Sequence, residues 1–201
     1  MATLALLLYV AYLVLTFGLR TLIQLRRTGS SGFHGLGGRP GSAEWIAGVG
    51  FTVALLVGAA APVLALLDVV EPIAALDTTA AHVAGLLLAV GGIGATFYAQ
   101  VAMGASWRIG VDPGERTELV TSGPFALFRN PIFAAMLPTA LGLTLLVPSW
   151  VALVGLVGLV AALELQVRVV EEPYLRRAHG EPYARYAARV GRFFPGLGRL
   201  D

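Results

Sequence analysis

Arg168 is preceded four residues earlier by Glu164 and followed three and four residues later by Glu171 and Glu172. On a helix, residues at these separations share a face. A guanidinium can hold an anionic group with paired hydrogen bonds. A carboxylate nearby can take a proton from an amine. Glu164 and Arg168 have a second reading, as an ion pair that staples helices together. A charge inside an apolar run costs a few kcal/mol, so either reading gives Glu164 a purpose. The other polar stretch is Ser122 to Pro131, SGPFALFRNP. It opens on a Ser-Gly-Pro turn signal and places Arg129 and Asn130 ahead of a proline. If the chain does chemistry, it is where these two segments meet, so a fold has to bring them together.

The elements available for this are almost all apolar. Of 201 residues, 57% are hydrophobic and 13% charged, with a mean hydropathy of +0.77. A soluble domain carries about 25% charge. The expected fold is therefore all-α, a polytopic membrane helical bundle that forms a single domain over 1–201. The apolar runs predict five spans, at about 3–25, 45–67, 79–103, 131–147 and 150–170. The last two form a helical hairpin turned at Pro148-Ser149. Pro62 should kink the second span without ending it. Gly85, Gly91, Gly92 and Gly94 offer close approach on the third. The first run is read as a retained span, because it lacks a positive leader and a cleavage site, and Arg20 to Arg27 follow it as a stop.

There is no cysteine, which excludes disulfides, thiol nucleophiles and Cys-ligated metals. All fourteen basic residues are arginine, which excludes a Schiff-base lysine and points to a GC-rich, bacterial genome. A net charge of +2 gives no reason to expect a nucleic-acid partner. The arginines sort by side. Four lie at or after the first span, three between the third and fourth, and seven from Arg168 onward. With five spans all three groups share one face, while Asp68, Glu71 and Asp77 occupy the other. The positive-inside rule then sets the N-terminus outside and the C-terminus in the cytoplasm of a bacterial inner membrane. Segments 104–130 and 171–201 would be cytoplasmic. In the tail, Gly180 ends one helical turn and Pro182 starts another. That helix carries Tyr183, Tyr186, Ala187 and Val190 on one face, which suits burial against a site or an amphipathic helix lying on anionic lipid.

Taken together, LVTSGPFALFRNPIFAAMLP, a hairpin, and RVVEEPYLRRAHGEPYARYAARVGRFFPG resemble the isoprenylcysteine carboxyl methyltransferase family and its relatives among membrane methyltransferases, phospholipid methyltransferases included. The resemblance runs from about residue 100 to 197. It implies an integral-membrane methyltransferase that binds S-adenosyl-L-methionine in a cytoplasm-facing pocket and takes a lipophilic acceptor from the bilayer. The acceptor would be a prenyl-cysteine-like carboxylate, an isoprenoid or a phospholipid amine. Carried onto this chain, the motifs assign cofactor binding to Gly123, Pro124, Phe125, Arg129, Asn130, Pro131, Phe133, Tyr183 and Tyr186. Catalytic roles fall to Arg168, Glu171 and Glu172. Phe125 stands where the family has tyrosine, and Asn130 where it has histidine. Asparagine still donates and accepts hydrogen bonds but cannot titrate, so a cofactor role survives there and a general base does not.

Trp107 belongs to a Gly-x-x-Trp stretch similar to the family's own, or it is an interfacial anchor. His34, His82 and His179 are dispersed, so no metal site is expected. Two other classes remain open. An NADPH-dependent membrane reductase of the steroid-reductase type would need a tyrosine buried beside a carboxylate such as Glu164, and Tyr98 is the one tyrosine in the third span. A non-catalytic scaffold needs no site at all.

Overall fold

The computed structural model describes residues 1–33, 35, 37–108 and 118–200. His34 and the segment that carries Arg116 lie outside them. The described residues form α1 (Ala2–Thr28), α2 (Ala43–Leu66), α3 (Thr79–Ala102), α4 (Pro131–Leu146), α5 (Trp150–His179) and α6 (Glu181–Arg189). α1, α2, α3 and α5 are long and apolar enough to cross a membrane, and α4 is a shorter apolar helix of 16 residues. The five expected spans are thus all helices. Their starts follow local chemistry. The side chains of Ser42, Thr78 and Ser149 accept the N–H groups of Trp45, Ala81 and Ala152, respectively. α4 begins on Pro131, whose missing donor costs nothing at a first turn.

Each long helix departs from the plain pattern in one informative way. α2 runs through Pro62 without ending. α1 and α5 widen to π-helix at Val14–Leu19 and Gln166–Glu171. α5 also runs through Pro173 without ending. The π stretch has already opened the hydrogen-bond ladder, so the proline sits in the first turn of the segment that resumes at Glu172. α5 is therefore 30 residues long, about 45 Å at 1.5 Å per residue. A hydrocarbon core of about 30 Å takes about 20 of them, so about ten are left over, and the charges Arg168, Glu171, Glu172, Arg176 and Arg177 cluster at the C-terminal end.

Packing follows the small residues. A Cβ on Gly142 would lie 2.4 Å from the Ala89 nitrogen, and one on Gly92 would lie 2.3 Å from the Thr139 hydroxyl, so α3 and α4 touch along their backbones. α2 and α5 meet likewise where Gly155 faces Gly58. Gly91 and Gly94 face open space and make no such contact. The core joins Tyr12, Ala54, Ile93, Met136, Leu159 and Leu163, one or more from each of the five spans.

The helices alternate in direction. The loop after α2 meets the α4–α5 turn at one end, where the Ile73 N–H donates to the Pro148 carbonyl at 2.6 Å. The opposite end gathers the close of α1, α3 and α5 with the starts of α2 and α4, and it holds the two polar segments.

Candidate functional site

The two segments close on each other through one buried carboxylate. Glu172 accepts hydrogen bonds from Arg129 at 2.6 Å and from Arg192 at 2.8 and 3.0 Å. Arg129 spends its remaining terminal N–H groups on the backbone carbonyls of Ala187, Val190 and Gly198. Backbone pairing backs the side chains. The Arg129 and Asn130 N–H groups donate to the Gly191 and Arg192 carbonyls, and the Asn130 side chain donates to Arg192 as well. A Cβ on Gly191 would sit 1.9 Å from the Phe194 carbonyl oxygen, so only glycine allows the tail to fold back here. The apolar face of α6, with Tyr183, Tyr186 and Ala187, is buried under this arrangement. The Tyr186 hydroxyl donates to the Phe125 carbonyl at 2.6 Å. The membrane-surface reading of α6 therefore gives way to the inward one.

Beneath the tail lies a cavity of about 500 Å³. This is within the range of small-molecule sites, about 300–1,000 Å³. Its roof is Phe125, Tyr174, Tyr183 and Tyr186, and its charged rim carries Arg108, Glu118, Glu171 and Arg177. Toward the middle of the bundle the walls turn apolar, with Tyr12, Phe51, Leu55, Phe133 and Met136. Burial pushes the Glu171 carboxyl up to about 7, against the lowering effects of Gln166 and Arg108. Burial likewise pushes the Tyr183 hydroxyl up to about 12. The Arg108 guanidinium lies 4.9 Å from the centre of the Tyr174 ring.

The structure sorts the sequence-predicted residues into three groups. Phe125, Arg129, Asn130, Pro131, Phe133, Glu171, Tyr183 and Tyr186 line the cavity. Glu172 does not; both its oxygens are taken by arginines, so it holds the wall from behind. Gly123 and Pro124 are also off the cavity. Gly123 supplies the positive φ of +59° at the turn that presents Phe125. Arg168 is not brought in. It points outward, exposed, and pairs with Glu164 one helical turn back. The ion-pair reading of these two fits, within one helix and not between helices. Tyr98 is exposed too, so it makes no buried pair with Glu164. Of the histidines, His82 lies beside Asp77 at the acidic end and His179 closes α5 away from the cavity.

Sequence reasoning missed the role of the first helix. Arg20, read as part of a stop signal, is fully buried. It donates to the Gln100 and Gly104 carbonyls and to the Gln24 side chain, and it stacks 4.5 Å from the Trp107 ring centre. Gln24 donates to Ala105, and Gln100 donates to the Thr16 carbonyl inside the π stretch of α1. Trp107 is 2% exposed and faces the cavity, which removes the interfacial-anchor reading. The available signal was an arginine placed four residues before a glutamine inside an apolar run.

A curated relative, the nickel-cobalt-cadmium resistance protein NccN of Alcaligenes xylosoxydans xylosoxydans, is 28% identical over 116 residues, 57% of this chain and 53% of that protein. The chain thus spans about half the length of the curated relative it matches. Residues 80–182 match the phospholipid methyltransferase family. That stretch is just over half of the chain and includes α3, the α4–α5 hairpin, Arg129 and Glu172. The chain belongs to the phospholipid methyltransferase family.

Proposed function

We propose that this protein is an S-adenosyl-L-methionine-dependent methyltransferase of the bacterial inner membrane, with its arginine-rich end in the cytoplasm and a lipophilic acceptor drawn from the bilayer. The observation that carries this reading is the cavity itself. It is charged and aromatic under the tail and apolar toward the bundle centre, so one polar and one apolar reactant can lie end to end.

The residues present suit the cofactor. Arg129 is buried, lines the cavity and has an Nε–H with no acceptor among the described residues. It and Arg108 are the donors a carboxylate would take. Phe125, Tyr183 and Trp107 offer ring faces to an adenine or to a sulfonium cation. When bound, S-adenosyl-L-methionine supplies an electrophilic methyl group for in-line displacement. The chain's part is to hold two reactants at contact and to exclude water. Glu171, on the rim and raised to about 7, is placed to take the proton that an amine or thiol gives up. Glu172 and Arg192 act as positioning residues, through Arg129.

The test is ligand-dependent unfolding of the detergent-solubilised protein. S-adenosylhomocysteine should raise the unfolding temperature and NADPH should not. Stabilisation by NADPH alone sinks this reading in favour of a reductase, and stabilisation by neither favours a scaffold. Lipids extracted with the protein, offered back with labelled S-adenosyl-L-methionine, would identify the acceptor.

A further inference from the structure

A second cavity, of about 50 Å³, continues the first toward the other end of the bundle. Holding one water takes about 10–15 Å³, so this is a substantial space in a close-packed interior. Its walls are mainly apolar and small, including Ala54, Gly58, Ala61 and Ala140. Three residues, Tyr12, Leu55 and Met136, line both cavities. Tyr12 and Met136 are each 4% exposed.

The lining residues advance in step along three helices. From the shared trio, α1 continues through Tyr9 to Ala5, and α4 through Ala140 to Leu143. On α2 the stripe starts at Glu44 on the charged rim, passes Phe51 and Leu55, and ends at Pro62. These steps of three and four residues keep to one helix face. The α2 stripe is about 27 Å long. The two cavities are thus stacked along one axis, with Tyr12, Leu55 and Met136 between them.

We propose that this trio measures the acceptor's hydrocarbon chain, and that the small cavity receives the chain's far end. The proposal rests on the lipophilic-acceptor reading above and adds its specificity determinant. A head group held under the tail fixes the start of the chain. The width of the partition and the depth of the space beyond it together set how many methylenes can be buried. Met136 is the adaptable member, being unbranched and flexible. Ala140 touches only the small cavity, so enlarging it shortens the available path without altering the partition.

The experiment uses primary n-alkylamines, from decylamine to eicosylamine, added to the detergent-solubilised protein with and without S-adenosylhomocysteine. Stabilisation against unfolding should strengthen about fourfold in affinity per methylene buried and then stop at one chain length. Met136→Ala should move that stop to longer chains and Ala140→Leu to shorter ones, and Ala140→Leu should keep stabilisation by S-adenosylhomocysteine. A stop that stays in place in both variants overturns the proposal, as does a wild type with no stop. If Met136→Ala fails to fold, Ala140→Leu alone decides. Failure of the parent reading looks different: the chain-length stop moves as expected, but S-adenosylhomocysteine stabilises none of the three proteins.

Discussion

Arg129 and Glu172 stand 43 positions apart in sequence and 2.6 Å apart in space, and the α4–α5 hairpin is what closes that gap. With Arg192 on the same carboxylate, one negative charge holds two buried positive ones. Glu172→Gln removes the charge and leaves both guanidinium groups in place. Breaking a buried pair in this way costs about 3–5 kcal/mol. We expect a large drop in unfolding temperature and early proteolysis within residues 190–200. A variant as stable and as protease-resistant as wild type would show that the backbone pairing holds the tail by itself.

The two adjacent glutamates should titrate in opposite senses. Burial raises Glu171 to about 7. Between its unfolded value and 7 the folded state holds the extra proton, so this group's contribution to stability falls as pH rises through that window. For Glu172 burial also acts upward, but hydrogen bonds from Arg192 and Arg129 outweigh it and hold the carboxyl below the usual range. Its contribution is present at neutral pH and is lost as pH falls through that depressed value. Methyl transfer should rise with pH through about 7, and Glu171→Gln should lose both that limb and most of the rate. A limb that survives in Glu171→Gln places the proton acceptor elsewhere.

Arg20 should matter more than its place near the end of a span suggests. Arg20→Met leaves the Gln100 and Gly104 carbonyls and the Gln24 side chain short of a donor. Unsatisfied buried groups cost about 1–3 kcal/mol each, so a loss of about 3 kcal/mol is reasonable. Lysine cannot replace the planar fork, so Arg20→Lys should recover only part. The readouts are the unfolding midpoint and the fluorescence of Trp107, which loses its stacked cation. Equal midpoints for all three proteins would mean that the brace is idle.

Arg168→Ala should do little. The pair with Glu164 is exposed, and such pairs contribute about 0.2–1 kcal/mol. Activity within about twofold of wild type is the expected result. A loss of a hundredfold would restore the catalytic role that the sequence alone suggested for this arginine.

The contrast between Arg168 and Arg20 shows what a linear sequence can and cannot convey. Spans and hairpin depend on composition and on neighbours a few residues away, so the turn at Ser149, the helix start at Pro131 and the helix end at Gly180 could be placed from sequence. Which way an arginine faces depends on packing between distant segments. Arg168 sits between two glutamate-bearing turns and looks like an active-site group, yet the π stretch Gln166–Glu171 shifts the helix register at that point and it faces outward. Arg20 looks like a flanking charge, yet the Gln100 and Gly104 carbonyls lie within its reach. Glu171 and Glu172 are adjacent in sequence and turn to opposite duties for the same reason: one lines the cavity and the other anchors its wall.

The Gly198 carbonyl that accepts from Arg129 has a temporal meaning. The brace at Arg20 needs no residue after Trp107, but the tail that folds over the cavity is made only after the α4–α5 hairpin. Until Arg192 has been made Glu172 lacks its second guanidinium, and until Gly198 has been made Arg129 lacks its last acceptor. The order of synthesis thus makes the wall at Glu172 complete only after both helices of the hairpin exist.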